Sequence, residues 1–242
     1  MQNFKTQLVL LPGLDGTGML FRPLQDVLER DMDCTIVAYP STRELDLTQL
    51  AAVVLKQLSQ TDTANAIVVA ESFSGLVALA VLAQSKIPIG GFVFVGAFAE
   101  PPRRLLPLLS GLFRVLAPLL PVIPDFLIRR YCLGADAKAA DLDRLRQAIR
   151  KVSPAVLAQR MRLIAAEHSF GKVRFDVPCC YIRAKEDRLV PASAVHWFEH
   201  RFKSVHIEEV QGPHFVLQAR PRECAEAIER AARWITAGHR RN

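Results

Sequence analysis

Short apolar runs of strand length alternate with amphipathic stretches along the first hundred residues. Gln7 to Leu11, Thr35 to Tyr39, Ala66 to Ala70 and Gly91 to Val95 read as strands, and Met19 to Arg30, Leu47 to Gln60 and Phe73 to Gln84 carry apolar residues at helical spacing. Strands that are apolar on both faces, separated by amphipathic helices, predict a mostly parallel sheet covered on both faces, an α/β class. The alternation then stops. It resumes near Val177 with a strand at Cys179 to Ala184, a helix from about Ala192, a strand at Ser204 to Val210 and a terminal helix at Arg222 to Ala237. The intervening residues 100–174 carry no strand signal and predict a helical cap inserted into a core of residues 1–99 and 175–242, over the strand ends where a ligand would bind.

The cap is unlike the core in both polarity and charge. Leu105 to Ile128 is almost wholly apolar and long enough to span a bilayer, but Pro107, Pro118, Pro121 and Pro124, with Arg114 and Asp125, predict short helices lining an apolar pocket and no stable membrane span, with an interfacial membrane contact as the alternative. Leu142, Leu145, Ile149 and Val152 mark one helix face, which leaves Arg144, Arg146, Arg150 and Lys151 toward solvent. Ser153 caps the next helix and Pro154 opens it, with Arg160 and Arg162 expected on its polar side. Residues 100–175 hold fourteen Lys/Arg and six Asp/Glu, a net +8, against +7 for the whole chain, so the remainder nets −1. Such a basic lid suits an acyl group carried on an acidic protein or on coenzyme A, with Arg144, Arg146, Arg150 and Lys151 as candidate substrate-binding residues. The other reading of the same charges is a solvated helix surface. Nucleic acid is disfavoured, because the cations lack interleaved aromatics and no recognition motif accompanies them.

Composition narrows the class further. The chain has 242 residues, 50% hydrophobic and 7% aromatic, enough for one sizeable globular core. Its five cysteines, Cys34, Cys132, Cys179, Cys180 and Cys224, form no metal-ligand or disulfide spacing. They predict a reducing, cytoplasmic compartment and no metal. The apolar run Leu8 to Leu11 is too short for a signal peptide and reads as the first strand.

The candidate chemistry begins at Ala70-Glu71-Ser72-Phe73-Ser74-Gly75, where a strand runs into a serine with small residues two positions away on each side. A serine lifted onto a sharp strand-to-helix turn needs those small neighbours. Ser74 is the rival, but its own flanks would be Ser72 and Leu76. The alternative role for Ser72 is a helix cap. Asp187 follows the strand Cys179 to Ala184, and His214 follows the strand Ser204 to Val210, so the chain order is Ser, Asp, His. A serine hydroxyl needs a histidine to take its proton and a carboxylate to hold that histidine's tautomer. Glu100 is the second choice for the acid, and Glu186 adjoins Asp187. The other histidines, His168, His196, His200, His206 and His239, read as packed or solvated. The backbone N–H groups of Phe73, at a helix start, and Leu14, after Pro12-Gly13, are placed to receive an oxyanion.

On the strings LVLLPGLDGTG, AESFSG, AKEDRLVP and GPHFVLQARP the chain resembles the α/β-hydrolase superfamily over nearly its whole length. The resemblance implies an α/β-hydrolase fold, with Ser72 as nucleophile, His214 as general base and acid, and Asp187 orienting the imidazole. Many relatives carry His-Gly where this chain has Pro12-Gly13, and glycine where it has Ala70. The implied function is serine-dependent hydrolysis of a carboxylic ester or thioester, a small-molecule acyl ester, without metal or organic cofactor. The basic cap is similar to that of the pimeloyl-acyl-carrier-protein methyl ester esterases, which implies a carrier-bound ester as a narrower substrate. The string LPGLDGTG is also similar to acyltransferases of the same fold. A non-catalytic ligand-binding protein is the third reading, and the complete Ser, Asp and His set argues against it.

Overall fold

A computed structural model describes residues 6–28, 32–103, 108, 110–170 and 174–239. Arg30 and, from the apolar cap segment, Leu105, Leu106, Pro107 and Leu109 lie outside the described residues. Six strands, β1 (Thr6–Leu11), β2 (Met32–Ile36), β3 (Ala66–Glu71), β4 (Gly91–Val95), β5 (Cys179–Ala184) and β6 (Val205–Val210), form one sheet in the order β2-β1-β3-β4-β5-β6. Every pairing is parallel. The order reverses between β1 and β3, the switch point at which successive crossovers of such a sheet run to opposite sides.

Period-two alternation explains why the strands read as unbroken apolar runs. Val9, Leu11, Val68, Ala70, Phe92 and Phe94 face one layer, with α1 (Leu47–Leu58), α2 (Ser74–Gln84) and α5 (Ala194–Arg201). Leu8, Leu10, Ile67, Val69, Val93 and Val95 face the opposite layer, where α6 (Pro221–His239) packs. The helix α1 starts on a reciprocal cap, in which Asp46 accepts from the Gln49 N–H at 2.8 Å and the Gln49 side chain accepts from the Asp46 N–H at 3.0 Å.

Two expectations shift. The second strand ends at Ile36, three residues earlier than its apolar run, because Tyr39 turns away to donate its N–H to the Gly16 carbonyl at 2.8 Å. The segment from Met19 is a short 3₁₀ turn, Met19–Phe21, followed by a single helical turn, Arg22–Gln25, with hydrogen-bonded turns reaching Leu28.

Between β4 and β5 the described residues form helices, turns and connecting loops and no strand, apart from a bridge at Phe175. Short turns cover Ser110–Leu133, and α3 (Ala139–Arg150) and α4 (Pro154–Ala165) follow. Ser153 caps α4 by accepting from the Val156 N–H at 3.3 Å. These elements enclose a third apolar cluster, including Phe113, Ala117, Ile128, Leu142, Leu145, Ile149 and Leu157, against which Leu14 and Phe215 of the sheet domain also pack. No described helix is long and apolar enough to cross a membrane.

Candidate active site

β3 delivers Ser72 at φ 49°, the only positive φ among the described non-glycine residues. A side chain makes this conformation unfavourable, and the surrounding bonds hold it. The Ser72 N–H donates to the Val95 carbonyl and the Gly75 N–H donates to the Ser72 carbonyl, each at 2.9 Å. Gly75 is needed because a Cβ there would stand 2.7 Å from the Ala97 Cβ and 3.2 Å from the Phe98 carbonyl oxygen.

The Ser72 Oγ lies 2.9 Å from His214 Nε2, and His214 Nδ1 lies 2.6 Å from Asp187 Oδ2. Both the imidazole and the carboxylate are nearly fully buried. The second Asp187 oxygen accepts from the N–H groups of Leu189 and Val190, each at 2.8 Å, which fixes the carboxylate plane. Sequence-distant loops after β3, β5 and β6 thus meet in one hydrogen-bonded line.

The rival residues have other partners. Ser74 is buried, donates to the Pro12 carbonyl and lies 2.6 Å from the Tyr39 hydroxyl. Glu186 accepts from Gln211 Nε2 at 2.6 Å, and Glu100 lines a separate groove with His196 and Trp197. His168 and His200 bond to the backbone carbonyls of Leu163 and His196, and His206 lies 3.0 Å from Glu208. Burial, with the Asp187 carboxylate nearby, pushes the Cys132 thiol up to about 12, which removes it as a competing nucleophile. Among the described residues no group of three or more His, Cys, Asp or Glu could hold a metal ion.

Phe73 follows the serine directly, and Leu14 lies in the loop after β1, the strand paired with β3. Phe73 precedes α2, where the first N–H groups have no partner within the helix. The Gly13 carbonyl accepts from the Gly16 N–H at 3.1 Å, so the planar Gly13–Leu14 peptide turns the Leu14 N–H away from that turn. The Leu14 carbonyl is held in turn by Arg160 Nη1 at 3.0 Å.

Arg160 overturns its expected place on the polar side of α4. It is 2% exposed, and its guanidinium donates to the carbonyls of Leu14, Asp15 and Pro40 at 3.0, 2.6 and 3.1 Å, beneath the Tyr39 ring. Gly16, at φ 65°, makes room for it, since a Cβ there would sit 2.4 Å from Nη1. The buried Asp15 supplies opposite charge, and its carboxylate accepts from the Thr17 N–H at 2.9 Å.

Glu71, next to Ser72, is also buried, at 4% exposure. It accepts from Gln218 Nε2 at 2.9 Å and from the Gly13 backbone, and burial raises its pKa to about 7. It therefore ties the strand before the serine to the Gly13 loop and to the turn that follows His214.

The four cap cations divide. Arg150 and Lys151 are exposed, whereas Arg144 pairs with Asp141 at 3.2 Å. Arg146 is 18% exposed, bonds to Asp125 and donates to the Ile123 carbonyl at 2.9 Å, so it braces the cap and is not the free solvent-facing cation expected.

A parallel sheet with a strained serine at its switch point defines the class, and comparison with known families agrees. Residues 8–227 match the alpha/beta hydrolase family, and the chain belongs to it. A comparison with curated proteins finds no match. Among solved structures, an esterase from Exiguobacterium antarcticum superposes with a TM-score of 0.80 at 12% identity, covering 94% of this chain and 92% of its own. A thioesterase of prodiginine biosynthesis from Streptomyces coelicolor gives 0.65 at 19%, covering 94% and 89%. A type II thioesterase of the yersiniabactin pathway gives 0.69 at 17%, covering 97% and 96%. At these identities the likeness is one of fold.

Proposed function

We propose that the protein is a serine hydrolase that cleaves a carboxylic ester or thioester with an apolar acyl group through an acyl-enzyme. The observation that carries this reading is the hydrogen-bonded line from Ser72 Oγ through His214 to Asp187, starting at the one strained non-glycine residue described. His214 Nε2 takes the Ser72 proton as Oγ attacks the carbonyl carbon, and Asp187 holds the Nδ1 proton and stabilises the imidazolium. The N–H groups of Phe73 and Leu14 receive the oxyanion. Collapse expels the alcohol or thiol with the proton from His214. Water, activated by the same imidazole, then releases the acid and restores Ser72.

The apolar cap cluster over Leu14 and Phe215 supports an apolar acyl group, and the likeness to thioesterases supports keeping thioesters in the substrate class. Exposed Arg150 and Lys151 favour an acyl-carrier or coenzyme A ester, such as a carrier-bound pimeloyl methyl ester, as the narrower substrate. Ser72→Ala should lower hydrolysis of a panel of short and long esters by about a millionfold, or to background, with the melting transition retained. Ser74→Ala should keep substantial turnover. Activity surviving in Ser72→Ala would refute the assignment.

A further inference from the structure

Eleven large hydrophobic side chains are exposed among the described residues, and nine of them lie between Leu108 and Tyr131. Leu112, Val115, Leu116 and Leu119 recur at helical spacing on a continuous run of short turns from Ser110 to Val122, and Phe126 and Tyr131 extend the set. The opposite side of the same run, Phe113 and Ala117, is buried in the cap cluster. The segment is therefore apolar on both sides, with only one side covered. Isolated exposed apolar residues are ordinary, but such a concentration marks a contact surface.

The chemistry of the face selects what covers it. From Val115 to Pro124 there is no polar side chain, and Pro118, Pro121 and Pro124 lack backbone donors. A protein partner would find few of the hydrogen bonds that specific interfaces carry. Arg114, which pairs with Glu44 at 3.6 Å, and Arg130 stand exposed beside the face, and the exposed Asp125 within it is held by Arg146; with the cap at net +8, a second copy presenting the same face would meet like charge. An apolar, hydrogen-bond-poor face rimmed by cations matches the headgroup and acyl boundary of an anionic bilayer. We propose that the outward face of the cap between Leu112 and Tyr131 docks the protein peripherally on an anionic lipid bilayer. The face is connected to the candidate site, because the Phe215 N–H, beside His214, donates to the Cys132 carbonyl at 3.0 Å.

The test is co-sedimentation of the full chain with vesicles of phosphatidylcholine alone or of equal parts phosphatidylcholine and phosphatidylglycerol. Binding should favour the anionic vesicles and weaken with salt. Replacing Val115, Leu119 and Phe126 together by Ser should weaken it about tenfold or more. Arg114→Gln with Arg130→Gln should weaken it about tenfold on anionic vesicles and little on neutral ones. All these side chains are exposed, so unchanged melting curves will show that the fold is retained. Absence of vesicle binding, or binding indifferent to the apolar triple variant, overturns the proposal. So does a dimer in sedimentation velocity, or capture of an acidic acyl carrier protein, that the triple variant abolishes while vesicle binding is unaffected.

Discussion

The sheet and the cap both carry long apolar segments, but they cover them differently. Each strand at the centre of the sheet is clothed on two sides, with Val68 and Ala70 under α1 and α2 and Ile67 and Val69 under α6. The cap turns run from Leu112 to Val122 with Phe113 and Ala117 buried beneath and Val115 and Leu119 outside. Two-sided cover fixes a strand's register and so the angle at which Ser72 leaves β3. One-sided cover leaves a segment stable enough to line a site and apolar enough to meet something else.

The largest expected effect falls on the sheet side. Asp187→Asn should lower turnover about ten-thousandfold by disfavouring the productive tautomer of His214, while Glu186→Gln, whose carboxylate meets Gln211, should be mild. Equal losses in steady-state kinetics would break the assignment.

Next come the contacts that join the two regions. Arg160→Met leaves the carbonyls of Leu14, Asp15 and Pro40 without their buried donor and should cost about 3 kcal/mol in denaturant unfolding, with turnover falling as the Leu14 loop loosens. Arg162→Met, which removes only a half-exposed pair with Glu44, should stay within about 0.5 kcal/mol. Similar costs for both would show that the buried clamp carries no special weight.

Glu71 gives a smaller, pH-dependent effect. Its folded pKa of about 7 lies above its ordinary value, so the folded state holds the proton longer than the unfolded state does. The stabilisation from the neutral form is complete below the unfolded pKa and is lost as pH rises through about 7. Glu71→Gln removes that loss. It should gain stability relative to the parent by up to about 3 kcal/mol near pH 8, with little gain near pH 4. A difference independent of pH would contradict the buried-acid account.

The smallest effect belongs to the cap surface. Charge reversal at Arg150 and Lys151 should raise the Michaelis constant of a carrier-bound or coenzyme A ester several-fold at low salt, less at high salt, and leave a small neutral ester unaffected. Equal behaviour of the two substrates would return these cations to a solvated face. Arg144 and Arg146 are unsuited to this test because their partners lie within the cap.

What was legible in the sequence follows the same division. Strand periodicity located five of the strands closely, and small flanking residues singled out Ser72, because these signals are local. The partners of Arg160 and Glu71 are distant, yet their sides were readable. Arg160 stands four residues after Val156 and four before Ile164, on the face that α4 buries. Glu71 shares strand parity with Ile67 and Val69, which face α6. Residue type alone puts Arg160 on the polar side, and Glu71 draws no reading at all, although spacing places both inside. The braced state of Arg146 had no such signal, since its partner Asp125 is twenty-one residues away across turns that periodicity does not resolve.

The central claim, that Ser72 is the activated nucleophile, is tested most directly by covalent labelling with a fluorophosphonate followed by peptide mass spectrometry. The predicted adduct is on Ser72, is formed by the native chain and is lost in His214→Ala. Labelling at Ser74, or labelling at Ser72 that His214→Ala leaves undiminished, would contradict the account.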